Sequence, residues 1–142
     1  RQSVDEEITV ENQVYRMTCV SMGNPHCVVF CDETDTLNLP EIGPEFENDP
    51  IFPERVNTEF IKVIDDHTLK MRVWERGSGE TLACGTGACA AAAAAVENGF
   101  CPHDETIRVM LIGGDLYIRY TSDGTVYMKG SADIVYSGTI EI

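Results

Sequence analysis

The chain is short of positive charge: 10 Lys and Arg stand against 24 Asp and Glu, a formal net charge of −14. That balance excludes nucleic acid and anionic membrane surfaces as natural partners. No apolar run is long enough for a membrane span, and no signal-peptide pattern opens the sequence. The first residue is Arg1 rather than a methionine, so the chain reads as a fragment or a processed product. Metal-site spacing is missing too. Cys27 to Cys31 and Cys84 to Cys89 are not C-x-x-C pairs, and the three histidines do not fall at zinc-ligand spacing near them. No metal is expected. Six cysteines without a secretory context point to reduced thiols in an intracellular, cytoplasmic protein. Gly77-x-Gly79 and Gly85-x-Gly87 complete neither a dinucleotide fingerprint nor a P-loop. G-x-S-x-G is absent, and no lysine lies near the glycine-rich stretch, so no cofactor is expected.

What is present is 142 residues of ordinary globular composition, expected to form one domain over residues 1–142. The stretch from Val73 to Phe100 organises it. Gly85 to Asn98 reads as helix, with Asn98-Gly99 as its C-terminal stop. From Cys84 to Val96 there is no charged side chain, and a helix without a polar face is buried all round. Alanine buries little area per residue, so this helix lets neighbouring backbones come close. It is read as a central helix, roughly 21 Å long, enclosed by sheet, with Cys84 at its head.

Strand patterns fill most of the remainder. Ile8–Val10 and Val14–Met22 flank a turn, and His26–Cys31 follows the break at Gly23-Asn24-Pro25. A short helix is read at 42–48, with Pro44 in its first turn. Val56–Ile64 and Thr68–Arg76 form a hairpin across Asp65-Asp66-His67. Ile107–Ile112, Leu116–Tyr120, Val126–Lys129 and Ile134–Ile142 are read as strands, separated by glycine-containing turns. The expected class is α+β: a curled, barrel-like, mostly antiparallel sheet of about eight strands around one alanine-rich helix.

In the strand ending at Arg76, Leu69, Met71 and Val73 alternate with Lys70, Arg72 and Trp74, which turns the odd positions to the core. Continuing that face carries Glu75 inward, where a carboxylate needs partners; the other reading ends the strand there and leaves Glu75 in water. Cys84 also has two readings. A helix N-terminus offers unpaired N–H groups and a partial positive charge, which bind carboxylates and lower a thiol pKa, making Cys84 a candidate thiolate. A cysteine in a small-residue cap is otherwise a small hydrophobe, as Cys19, Cys27, Cys31 and Cys89 are read to be.

Gly23-Asn24-Pro25-His26, Arg55-Val56-Asn57-Thr58-Glu59-Phe60, Trp74 to Thr81 and Ala83-Cys84-Gly85-Thr86-Gly87-Ala88, in that order, resemble diaminopimelate epimerase. Ser137-Gly138-Thr139-Ile140 is similar to that family's last strand. The resemblance implies a pyridoxal-independent inversion at an amino acid α-carbon by two cysteines, in lysine and cell-wall precursor biosynthesis. It makes Cys84 one acid/base residue, with Glu75 (now turned inward) and His26 supporting proton traffic. The backbone of Gly85 and Thr86 would grip the reacting carboxylate, and Asn24, Asn57 and Arg76 the distal amino acid centre of diaminopimelate.

The first-half motif of the family, C-G-N-G-x-R, is absent, so the chain corresponds to the second half only. Its expected partner is the N-terminal half-domain carrying the second cysteine, and the fragment alone is expected to be inactive. An exposed half-cleft and an unpaired last strand are reasons for it to self-associate as a homodimer. Two other readings stand beside this one: an epimerase-like isomerase or racemase for another amino acid, and a non-catalytic binding or assembly domain of the same fold.

Overall fold

The structure, a computed structural model, describes residues 3–142. Strands β1 (Ser3–Val10) and β2 (Gln13–Ser21) form a hairpin. Its two-residue turn puts Glu11 and Asn12 at φ of 49° and 63°, as a tight right-twisting hairpin requires. β3 (Pro25–Phe30) is followed by α1 (Leu39–Glu47) and β4 (Asn57–Asp65). Then come β5 (Thr68–Glu75), β6 (Gly79–Thr81), α2 (Gly85–Glu97), β7 (Ile107–Leu111), β8 (Gly114–Tyr120) and β9 (Val126–Lys129).

These make one mixed sheet in the order β1-β2-β3-β4-β5-β7-β8-β9, with β6 paired to β5. The fold is the expected α+β class, but the sheet is not closed: β1 and β9 are its two ends. Most pairings are antiparallel; β3–β4 and β5–β7 are parallel. Each parallel pair needs a crossover, and the two helices provide them. Both crossovers step the same way along the sheet, while β4 and β5 run in opposite directions. Right-handed connections then place α1 and α2 on opposite faces.

Two separate cores follow from that arrangement. Val28, Ile61, Leu69, Met71 and Val73 pack on α2, whereas Cys27, Val29 and Phe60 pack on the α1 residues Leu39 and Phe46. Trp74 joins the α1 side so closely that a Cβ on Gly43 would lie 2.2 Å from its ring. β4 is covered on both faces, and Asn57, Thr58, Glu59, Phe60 and Ile61 are all buried.

Helix α2 is enclosed as its composition demands. Ala90, Ala91, Ala92, Ala94 and Ala95 are fully buried, and the helix touches β2, β3, β4, β5, β7, β8 and β9. It ends at Gly99, φ 78°, where Phe100 N donates to Ala95 O (2.8 Å) and Gly99 N to Val96 O (3.0 Å). That paired arrangement satisfies two carbonyls the helix would otherwise leave bare.

Three elements differ from the sequence reading, the short strand β6 among them, which it did not contain. Helix α1 begins at Leu39, with Pro40 in its first turn and Pro44 inside; proline is favoured at the start because its missing N–H has no acceptor there anyway. Residues 134–142 form no strand. Ile134, Val135 and Tyr136 are 94%, 90% and 85% exposed. A strand exists only through a neighbour, and residues 130–142 run off beyond β9 at the end of the sheet without one.

Candidate functional site

The site assembles where β3 and β4 begin and β5 ends, beneath the first turn of α2. Alternation along each strand selects the face. His26 lies on the same face of β3 as Val28, Asn57 and Glu59 on the same face of β4 as Ile61, and Glu75 on the same face of β5 as Val73. His26 is directly opposite Asn57, and Glu59 opposite Val73. The inward reading of Glu75 is therefore the one the strand adopts. β5 pairs with β7 through Thr68–Lys70 and with β6 through Val73–Glu75, so its neighbour changes between Lys70 and Val73, and β6 leads on to Cys84.

Cys84 is the N-cap of α2, and its side chain is mostly buried. Its Sγ accepts from Gly87 N at 3.3 Å and lies 3.8 Å from Thr86 Oγ1. Its carbonyl accepts from Ala88 N at 2.9 Å. Position in the first turn leaves the amides of Gly85 and Thr86 with no acceptor inside the helix. A side chain at Gly87 would crowd the site: a Cβ there would sit 2.8 Å from Glu59 Oε1 and 3.0 Å from Cys84 Sγ.

A hydrogen-bonded line runs from the interior to that cap. Glu59 Oε1 meets His26 Nδ1 at 2.6 Å, and His26 Nε2 meets Asn24 Oδ1 at 3.0 Å. Asn24 Nδ2 donates to Thr86 Oγ1 at 3.3 Å, and Thr86 reaches Cys84. The His26 and Glu59 side chains are wholly buried. Burial pushes the Glu59 carboxyl up to about 7; the bond and charge of His26 pull the other way, and the nearby Glu75 adds to the rise. Glu59 Oε2 has no hydrogen-bond partner among the described residues.

The Cys84 thiol departs from the sequence reading. A helix N-terminus was expected to lower its pKa; instead burial raises it, and the carboxylates of Glu75 and Glu59 add to the rise. The bonds from Gly87 and Thr86 act in the lowering direction and are outweighed.

The remaining predicted residues form a second group beside this line. Asn57 donates through Nδ2 to Pro25 O (3.0 Å) and accepts through Oδ1 from Arg76 N (2.8 Å), joining the start of β3 to the loop after β5. One N–H and one lone pair of its amide are left over. The Arg76 guanidinium donates to Glu54 O at 3.0 Å, and Glu75 Oε2 accepts from the Thr81 hydroxyl.

Two residues escaped the sequence reading. Glu59 is one; it stands in β4 among Asn57, Thr58 and Lys62, so its own strand does not single it out. Glu47 of α1 is the other. It accepts from Trp74 Nε1 (3.0 Å), Gly77 N (3.0 Å) and Arg55 Nη1 (2.9 Å), fixing the loop that carries Arg76, and nothing in its local sequence marks it. A groove of about 650 Å³, lined by Tyr15, Arg16, Asp32, Asn38 and Phe100 among others, does not include Cys84.

Residues 18–135 match the sequence family described as diaminopimelate epimerase. Curated proteins of that name are similar along nearly the whole chain. The one from Synechocystis sp. is 54% identical over 140 residues, covering 98% of this chain and 50% of the relative. Those from Methanococcus maripaludis and Bacillus mycoides are 49% and 50% identical, covering 98% and 97% of this chain and 50% and 48% of the relatives. The chain thus spans about half the length of the curated relatives it matches. Among solved structures, a Bacillus anthracis phenazine biosynthesis protein of the PhzF family superposes with a TM-score of 0.55 at 21% identity, covering 87% of this chain and 40% of that one. At that identity the likeness is one of fold.

Proposed function

The chain belongs to the diaminopimelate epimerase family, and on that premise we propose that it is the C-terminal domain, residues 1–142, of a pyridoxal-independent diaminopimelate epimerase. The observation that carries this is the placement of Cys84 at the head of a buried helix, next to two free first-turn amides and on the His26–Glu59 line. An amino acid α-proton is very weakly acidic, so its removal needs a sink for the developing charge. First-turn amides in a water-poor site supply one for the reacting carboxylate, and those of Gly85 and Thr86 are assigned that task.

Cys84 is assigned as one acid/base residue. As thiolate it takes the α-proton and becomes a thiol, while the thiol of an upstream half-domain gives a proton to the opposite face; the reverse reaction exchanges the roles. The raised Cys84 thiol rests protonated, the state needed in the delivering member of such a pair. His26 and Glu75 support proton traffic at the sulfur. Asn24, Asn57 and Arg76 are assigned to the distal amino acid centre, with arginine suited to a two-pronged carboxylate clamp. The process served is lysine and cell-wall precursor biosynthesis in the cytoplasm, with LL- and meso-diaminopimelate as substrates.

By this reading the chain alone turns over no LL-diaminopimelate. Joined to the upstream half of its Synechocystis relative, it exchanges the substrate α-hydrogen with solvent deuterium, and Cys84→Ser abolishes that exchange while leaving the melting temperature near its original value. Turnover by the lone chain, or exchange surviving Cys84→Ser, would sink the proposal.

A further inference from the structure

Both ring nitrogens of His26 face oxygen. Nε2 is 3.0 Å from Asn24 Oδ1, and Nδ1 is 2.6 Å from Glu59 Oε1. An amide oxygen can only accept, so Nε2 carries a hydrogen. A neutral imidazole with hydrogen on Nε2 has a bare Nδ1, which must receive a hydrogen bond. Glu59 can give it only as the protonated acid; alternatively the same proton sits on Nδ1 and faces the carboxylate. In either form the pair holds one proton between two fully buried groups.

That proton sets the direction of everything beyond it. Nε2–H donates to Asn24, so the Asn24 amide turns its N–H₂ to Thr86 at 3.3 Å. The Thr86 oxygen is then an acceptor, and its own hydrogen is free for Cys84 Sγ at 3.8 Å. Remove the proton from the pair and Glu59 accepts from Nδ1–H. Nε2 is then bare, the Asn24 amide must turn over, and the Thr86 hydroxyl is drawn to Asn24 instead of to the sulfur.

We infer that Glu59 is a positioning residue. It stores the proton that keeps His26 in the Nε2–H form and so aims the Thr86 hydroxyl at Cys84. This deepens the proposed epimerase reading and rests on it for its functional consequence. The groups that face Glu59 are His26 from β3, Glu75 from β5 and Cys84 at the head of α2, with Cys27 close by on β3. Glu75 disfavours charge on both Glu59 and Cys84, which favours keeping the proton on the pair.

Nitrogen-15 NMR of the imidazoles tests this in the chain as it stands. The wild-type spectrum should show His26 with hydrogen on Nε2 below about pH 7, the range in which Glu59 holds its proton. A bare Nε2 in that range overturns the inference without any variant. Glu59→Met, similar in size but unable to bond, should release His26 into a mixture of both tautomers; an unchanged tautomer overturns the inference. In the enzyme joined to the Synechocystis upstream half, Glu59→Met should lower kcat by about 10-fold with KM little changed. That is less than the roughly 10²- to 10⁴-fold loss of a proton-transfer group itself. An unchanged kcat overturns the inference. Exchange surviving Cys84→Ser would instead strike the epimerase reading and leave the tautomer result standing.

Discussion

Two histidines in this chain are each held by carboxylates, at nearly equal distances. His26 meets Glu59 at 2.6 Å; His67 meets Asp66 at 2.8 Å and Glu105 at 3.0 Å. The first pair is fully buried, while the side chains of His67, Asp66 and Glu105 are 40%, 76% and 58% exposed. Bond length therefore does not distinguish them. Water does: it screens the outer cluster and lets its partners separate at little expense. Inside, neither charge can be left alone, and the proton has nowhere else to go. The same three atom types make a surface decoration in one place and a proton store in the other.

The hardest way to break this contrast is to strand the inner carboxylate. His26→Leu removes the partner of a buried group and should destabilise by roughly 3–5 kcal/mol above neutral pH, read by urea unfolding. The loss should shrink in acid. Glu59 titrates at about 7 in the fold against the usual 4.5. A raised carboxyl contributes stability fully present below 4.5 and lost as pH rises through about 7. An equal loss at both pH extremes would show Glu59 to be wet.

A smaller effect comes from moving Glu59 rather than stranding it. Gly87→Ala sets a methyl against its Oε1 and against Cys84 Sγ. Overpacking outweighs the better helix propensity of alanine, for a net loss of about 1 kcal/mol. A gain in melting temperature would mean the carboxylate moves freely.

The least effect belongs to the outer cluster. The hydrogen bonds that the protonated His67 ring donates to Asp66 and then to Glu105 raise its pKa. Its small contribution is therefore present below the ordinary histidine range and disappears as pH rises through the elevated value. His67→Asn should barely shift the melting temperature, and any shift should vanish in high salt. A shift as large as that of His26→Leu would collapse the comparison.

How much of this was legible beforehand depended on how local the cause was. The alanine helix announced itself, because thirteen positions without charge admit no surface face, and Cys84 came with it. Glu75 was legible only as a phase on an alternating strand. Glu59 was out of reach. Its burial follows from β4 being central and covered on both faces, which in turn follows from a parallel pairing with β3 that no local pattern marks. The Cys84 pKa was misjudged for the same reason. The helix end is written in the sequence, but the burial and carboxylates that overrule it arrive from β4 and β5. β6 went unread between the strand ending at Arg76 and the alanine helix, since three residues carry too little periodicity to register.

Residues 130–142 bear on how the molecule would be handled at the bench. They lie wholly outside the sheet, and Ile134, Val135, Tyr136 and Ile140 stand in solvent. A protease offered this chain would start there, trimming toward Lys129 and stopping at β9, whose backbone is tied to β8. A comparison of the trimmed product's melting curve with that of the intact chain would show how little the compact body depends on its tail.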